Sequence, residues 1–158
     1  MKSILRNALA LLVFVIFAGS CGNKEESQLG EKEFSILEFN AGDCKGNLKS
    51  TNESQYIELK AEGSGRLNIK FVNAVFNCCP GKITSSASFQ NGILKIVFAE
   101  EMGACDCICD YDVECVIGSI ANSDYDIEVY INNTEEPKAS FSFTYSSQLD
   151  LSYNIDQE

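Results

Sequence analysis

Histidine and tryptophan are absent from the 158 residues of this chain, and proline occurs only twice. Without histidine the sequence lacks the commonest general base and the commonest metal ligand, and a Ser-His-Asp arrangement cannot be built. Basic residues are also few: 12 Lys and Arg stand against 23 Asp and Glu, which gives a formal net charge of −11. Because phosphates are bound by Lys and Arg, this balance argues against a nucleic acid partner.

A long apolar run is missing as well. Residues 8–18 are apolar, but a transmembrane helix needs about 20 such residues. Lys2 and Arg6 precede the run, and the small residues 18–20 lead directly to Cys21. A basic start, a short apolar run and small residues at a cut site are the layout of a secretory signal. We therefore expect residues 1–20 to be a signal peptide.

The residues that end this segment resemble the lipobox of bacterial lipoproteins, in which small residues precede a cysteine that becomes the new N-terminus. Ala18 stands where leucine is commoner. The resemblance implies that the Cys21 thiol carries a diacylglycerol and that its amine is acylated. Several acyl chains on one residue give stable anchoring. An acidic chain does not adsorb to an anionic membrane, so contact with the bilayer is expected through the acylated Cys21 alone.

Lys24, Glu25 and Glu26 follow the predicted lipidation site. A lysine and two acids at this place resemble the surface-export signal of Bacteroidetes-type lipoproteins, which implies an outer-membrane protein that faces the cell surface. The alternative is a plain solvated tether, because residues 21–32 are rich in polar residues. We expect residues 21–32 to be a disordered, lipidated tether and residues 33–158 to be one folded domain.

The body of the chain alternates apolar and polar residues with the period of a β-strand. Tyr56–Ala61 and residues 67–71 flank a glycine-rich turn, and Asn91-Gly92 is a strong hairpin signal. Further alternating runs occupy residues 83–89, 93–98, 125–131, 139–145 and 149–155. No window shows a helical period. The sequence predicts an all-β fold, a single immunoglobulin-like antiparallel sandwich of about seven to nine strands, with a small barrel as the alternative.

The segment from Cys105 to Cys115 has the same alternation. Its odd positions carry cysteines with Tyr111 and Val113, and its even positions are mostly acidic. This pattern predicts a half-buried strand that uses cysteine as a core residue. The acidic positions could form a calcium site, but carboxylates on a flat strand do not converge on one ion. A solvated acidic face is therefore the preferred interpretation.

Seven cysteines remain once Cys21 is lipidated, and in an exported protein they are expected to form disulfides. The candidates are Cys44, Cys78, Cys79, Cys105, Cys107, Cys109 and Cys115. Neighbouring cysteines on one face of a strand lie near the upper Cα limit for a bridge, and their side chains run parallel. We therefore expect at least one bridge from the Cys78-Cys79 pair to the Cys105–Cys109 cluster. The odd count leaves one thiol free or in an intermolecular bond.

A metal site is the alternative use of these cysteines, because thiolates bind soft ions such as zinc and copper. The candidate ligands are Cys78, Cys79, Cys107 and Cys109. In a strand, Cys105 and Cys109 would be about 13 Å apart, so the whole cluster could share one ion only if the segment were a loop. The disulfide interpretation requires no cofactor. Reduced core thiols are a third interpretation.

Two of these motifs together resemble a family. The Cys78-Cys79-Pro80-Gly81 turn and the Cys-x-Cys-x-Cys strand that starts at Cys105 look like those of a group of small Bacteroidetes-type lipoproteins. That group has no established activity, so the resemblance implies a fold and a location and assigns no functional residue.

The sequence favours a non-catalytic, lipid-anchored binding or interaction module of the cell envelope, whose exposed loops bind an unknown protein or glycan. A metal-binding lipoprotein that holds zinc or copper by thiolates is the alternative. A glycoside hydrolase with paired carboxylates is a distant alternative, because any acidic protein offers such pairs. The aromatic stripe of Phe141, Phe143 and Tyr145 could stack on sugars, but its parity is that of a core face.

Overall fold

The computed structural model describes residues 32–46, 54–101, 103 and 105–155, and every regular element in these ranges is a strand. The predicted signal peptide, Cys21 and the predicted export signal at Lys24, Glu25 and Glu26 lie outside the described residues. The strands are β1 (Lys32–Glu33), β2 (Ile36–Ala41), β3 (Tyr56–Ala61), β4 (Leu67–Asn77), β5 (Ile83–Gln90), β6 (Ile93–Glu100), β7 (Ile108–Ile117), β8 (Asp124–Ile131), β9 (Ala139–Thr144) and β10 (Asp150–Asn154). Nine of them are longer than two residues, and the all-β prediction is confirmed.

The strands form two five-stranded sheets. Sheet A has the order β1-β5-β6-β8-β9, and sheet B has the order β10-β3-β4-β7-β2. β6 and β8 pair in parallel, so the expectation of a purely antiparallel sandwich is wrong at this position. The chain crosses to sheet B to form β7 before it returns as β8, and such a crossover allows a parallel pair where a tight hairpin does not. The immunoglobulin-like connectivity is not confirmed.

Both predicted hairpins are present. Asn91 and Gly92 have φ angles of 53° and 87°, which is the conformation that a two-residue hairpin turn requires. β5 and β6 pair from Gln90 and Ile93 outward. The turn before β4 also has positive φ, at Ser64 and its flanking glycines. The short-range signals in the sequence therefore fix the register of two strand pairs.

The core lies between the two sheets and consists of the inward-facing side chains of alternate positions. Its largest fully buried members include Phe71, Phe76 and Phe98. Phe143 and Tyr145 are also buried, and the Tyr145 hydroxyl donates a hydrogen bond to the Arg66 carbonyl at 3.1 Å. The aromatic stripe at the end of the chain is therefore mainly a core face.

A bulge interrupts β4 between Phe71 and Ala74. Inward-facing positions are odd before the bulge and even after it, so Ala74 and Phe76 are buried while Val75 is exposed. The alternation in the sequence predicts a strand over residues 67–71, and the structure shows one eleven-residue strand that continues to Asn77. Asn73 lies in the bulge with a φ of 60° and is buried.

The two ends of the domain differ in how well the sequence predicts them. The tail forms β10, as its parity predicts, and pairs with β3 from Asp150 and Lys60 onward. β1 begins at Lys32, one residue before the expected start of the domain. β2 was not expected, because Ile36–Ala41 has no clean alternation and forms an edge strand against β7.

No helix of the described residues is long and apolar enough to cross a membrane.

A candidate cysteine-rich site at one end of the sandwich

The cysteine motifs meet at the end of the sandwich where β4 ends and β7 begins. The two strands are antiparallel neighbours, and Asn77 pairs with Ile108. The Cys78-Cys79 turn that follows β4 therefore lies beside Cys105 and Cys107, which precede β7. This geometry follows from strand pairing, because antiparallel strands place the end of one beside the start of the other.

Three disulfides form at this end of the molecule. Cys78 bonds to Cys107 with a Cα–Cα distance of 5.5 Å, and Cys79 bonds to Cys105 at 5.9 Å. Both distances fall in the usual range for a bridge, and both bonds join the pair to the cluster as the sequence predicts. The third bridge joins Cys44 to Cys109, with a Cα–Cα distance of 5.6 Å.

The strand predicted from Cys105 to Cys115 is shorter than expected. β7 begins at Ile108, and Cys105 and Cys107 lie in a bend that precedes it. The adjacent cysteines Cys78 and Cys79 bond to Cys107 and Cys105. These two bonds hold residues 105–107 against the turn, so that they do not pair in the strand ladder. Of the cysteines in this segment, only Cys109 and Cys115 lie on the buried face of the strand, as the alternation predicts.

Asn77 connects the two cysteine segments by hydrogen bonds. Its side-chain amide donates to the Cys105 carbonyl at 2.6 Å, and its side-chain oxygen accepts from the Cys79 backbone N–H at 2.9 Å. Its backbone N–H donates to the Glu100 carboxylate at 2.8 Å. Gly103 packs so closely here that a Cβ would clash with the Cys79 carbonyl and the Asn77 side chain. These contacts hold the backbone in place independently of the sulfur bonds.

The sulfur atoms of Cys78, Cys105 and Cys107 all lie within 4.8 Å of one another. Cys79 is adjacent to this group, because it is bonded to Cys105. Cys109, the remaining candidate ligand from the sequence, is not part of the group and bonds to Cys44 instead. We call Cys78, Cys79, Cys105 and Cys107 the sulfur cluster.

Acidic side chains outnumber basic ones around the sulfur cluster, where Lys82 follows the turn. Glu100 contacts Asn77, Glu101 packs on the turn at Gly81, and Asp106 is exposed between two cluster cysteines. Burial raises the pKa of Tyr111, and the negative charges of Glu100 and Asp43 raise it further. The negative charge of these carboxylates favours cations over anions at the sulfur cluster.

The acidic face of β7 is engaged in ordinary pairs. Lys45 Nζ lies 2.6 Å from the Asp112 carboxylate, which also accepts the backbone N–H of Asn73 at 3.2 Å. Burial disfavours the charge on Asp112, but these hydrogen bonds outweigh burial and lower the pKa of Asp112. Glu114 accepts a hydrogen bond from Asn40. Neighbouring donors thus hold these two carboxylates, as expected for a solvated acidic face.

Among the cysteines that the structure describes, Cys115 is the one without a disulfide, and it lies in the core. Burial raises the pKa of the Cys115 thiol to about 12. Only the thiolate is nucleophilic, so this group stays inert at neutral pH. Its complete burial also argues against the intermolecular bond that the odd cysteine count left open.

A shallow groove of about 390 Å³ crosses the outward face of sheet A. Lys95 Nζ lies 4.3 Å from the centre of the Tyr130 ring, and the Tyr130 hydroxyl donates to Glu128 at 2.7 Å. That hydrogen bond raises the pKa of Tyr130. The residues that line the groove include Ser86, Ser88, Lys95, Glu128, Tyr130 and Asn133. Sequence reasoning missed this groove, although the outward parity of β5, β6 and β8 places these residues on one face.

No protein-family model, curated protein or solved structure matches this chain. The function must therefore be inferred from the chain's own residues and their geometry.

Proposed function

We propose that the protein is a non-catalytic, lipid-anchored binding module of the bacterial cell envelope, displayed on the outer membrane toward the cell surface. The observation that carries this proposal is the set of three disulfides in the described domain. Disulfides persist in exported proteins and are rare in the cytosol. They support the interpretation of Cys21 as the anchoring residue of an exported chain.

Two surfaces of the domain suit binding. The disulfides fix the loops at one end of the sandwich, and the groove on sheet A presents serine hydroxyls beside Lys95 and Glu128. Such polar groups hydrogen-bond to hydroxyl-rich ligands, and the rigid sheet holds them in place without an ordering cost. A glycan is therefore the ligand class that we expect the groove to bind.

Lipidation is tested with the full chain expressed in a bacterial host. Mass spectrometry of the N-terminal peptide should show that residues 1–20 are gone and that Cys21 is acylated. Cys21→Ala should abolish acylation and membrane partitioning, whereas Asn23→Ala should leave both unchanged. An intact N-terminus, or an unmodified Cys21 thiol in the native protein, would overturn the anchoring proposal.

Surface display is tested by proteolysis of intact cells. The wild-type chain should be cleaved by an added protease, and replacement of Lys24, Glu25 and Glu26 by alanine should protect it. Equal cleavage of both proteins would show that these three residues are only a tether.

Ligand binding is tested with the oxidised, lipidated protein on a glycan array. Ser88→Arg should fill the groove and reduce binding at least tenfold, because Ser88 lies directly beside Lys95 in the pairing of β5 and β6. Lys60→Ala, an exposed change on sheet B, is the matched control and should have no effect. Binding that survives Ser88→Arg would place the ligand elsewhere, and no glycan binding at all would contradict the glycan assignment.

A further inference from the structure

We propose that the sulfur cluster becomes a binding site for one soft d¹⁰ metal ion, Zn²⁺ or Cu⁺, when its two disulfides are reduced. Thiolates select these ions over hard cations such as Mg²⁺ and Ca²⁺. The proposal goes beyond anchoring and glycan binding, because it concerns a different surface and a different oxidation state. It also revises the ligand set suggested by the sequence, with Cys105 in place of Cys109.

The spacing of the sulfur atoms is close to that of a thiolate metal site. Three of them lie within 4.8 Å of one another. A tetrahedral zinc site with Zn–S bonds of about 2.3 Å holds its sulfurs roughly 3.8 Å apart. Sulfurs that are not bonded to each other must approach by at most about 1 Å. Each bonded pair must separate from the ~2 Å of an S–S bond to about 3.8 Å, and rotation about the side-chain bonds supplies both movements once the S–S bonds are broken. Cys79, bonded to Cys105 in the oxidised form, supplies the fourth sulfur, and it must move further than the others because its sulfur lies outside the group of three.

The backbone that carries these cysteines is held by contacts that reduction does not remove. The Cys78 N–H donates to the Cys107 carbonyl at 3.1 Å, which ties one cysteine segment to the other. Asn77 adds its two side-chain hydrogen bonds to Cys105 and Cys79. The four cysteines are therefore expected to stay near their present positions as thiols. A preformed site of this kind reduces the ordering cost of metal binding.

The chemistry balances with a protein dithiol as the reductant. Each disulfide of the cluster accepts two electrons and two protons from one dithiol, which leaves as its own disulfide. Two such exchanges yield four cysteine thiols. Binding of Zn²⁺ by all four then forms four Zn–S bonds and releases four protons, whereas trigonal Cu⁺ binding by three thiols releases three.

Access differs between the bridges. Cys105 is exposed, and Cys78, Cys79 and Cys107 are half-buried, so a reductant can reach both cluster bridges. Cys109 is only 3% exposed, so the Cys44–Cys109 bridge has one shielded sulfur. Reduction should therefore open the cluster first and leave β7 tied to the segment that follows β2.

The test uses the full mature lipoprotein in detergent, in its oxidised form and after anaerobic reduction. Each form is incubated with Zn²⁺ or with Cu⁺ and desalted, and the bound metal is counted by elemental analysis. We expect close to one ion per reduced chain and less than 0.1 per oxidised chain. The arm with the lower dissociation constant in competition with a chelator identifies the preferred ion. Circular dichroism should show that the reduced chain keeps its strands.

Variants separate the cluster from the other thiols. Cys105→Ser and Cys107→Ser should each weaken metal binding by the reduced chain at least tenfold. Cys115→Ser is the matched control and should leave binding unchanged, because that thiol lies in the core away from the cluster. A reduced chain that binds no ion, one that unfolds, or equal binding by Cys105→Ser would overturn the proposal. Anchoring and glycan binding are measured on the oxidised protein, so their failure is distinguishable.

Discussion

The three disulfides are expected to differ in how much they stabilise the fold, because they close loops of different effective length. In the chain-entropy model, a bridge stabilises by restricting the unfolded chain, and the effect grows with the logarithm of the loop. The Cys79–Cys105 bridge spans 26 residues and the neighbouring Cys78–Cys107 bridge spans 29. Because the two are adjacent, either one already closes nearly the same loop.

Removal of one cluster bridge should therefore cost less than its own loop length suggests. With Cys78–Cys107 intact, the second bridge closes only a ring of about five residues, which corresponds to about 2 kcal/mol at most. Removal of both should cost that amount plus about 3.6 kcal/mol for the 29-residue loop of Cys78–Cys107. The Cys44–Cys109 bridge nominally spans 65 residues, but the inner bridges shorten its loop to roughly 36. Its loss should cost about 4 kcal/mol.

The assay is urea unfolding of the oxidised full chain at neutral pH, with paired Cys→Ala substitutions at each bridge. The expected order of destabilisation is Cys44/Cys109 above Cys79/Cys105, with the two cluster bridges strongly non-additive. Cys115→Ala reports the cost of a core cavity alone and serves as the control for the buried Cys109 position. Equal losses for the two bridge variants, or additive losses for the two cluster bridges, would refute the nested-loop argument.

Three further predictions follow from the described contacts. Cys115 should not react with a thiol reagent at pH 8 in the native oxidised protein, because its pKa is about 12, and one thiol per chain should react after denaturation. Asp112→Asn should lower the free energy of unfolding by about 1 kcal/mol at pH 7. The folded pKa of Asp112 lies below its ordinary value of 3.8. The stability advantage of the wild type in urea melts should therefore vanish as the pH falls through that folded pKa. Gly103→Ala should destabilise the cysteine-rich end, because its Cβ clashes with backbone, whereas Gly81→Ala should be milder; equal melting temperatures for both variants would contradict the close packing.

The sequence predicted the strands whose turns and burial pattern depend on neighbouring residues. The Asn91-Gly92 turn and the alternation along β8 and β9 correspond directly to the observed elements, because turn geometry and period-two burial are properties of neighbouring residues. β2 was not predicted, because an edge strand with few buried side chains shows almost no alternation of apolar and polar residues.

The bulge in β4 shows why the rest could not be predicted. Asn73 is a buried polar residue with a positive φ, and its side chain accepts from Lys45 and donates to the Ser54 carbonyl. These partners lie 28 and 19 residues away in sequence, so no local window reveals that the position is satisfied inside the fold. An isolated asparagine in an apolar run predicts a break, whereas the structure accommodates it as a change of parity.

The cysteine-rich end depends on the same kind of distant contact. The sequence predicted at least one bridge between the turn and the cluster, but it could not select one connectivity, because the choice depends on how β4 and β7 align. Once Asn77 pairs with Ile108, the turn cysteines face Cys105 and Cys107, and Cys109 falls inside the strand, beyond their reach. The strand register therefore decides which sulfurs converge, and with them which cysteines could hold a metal.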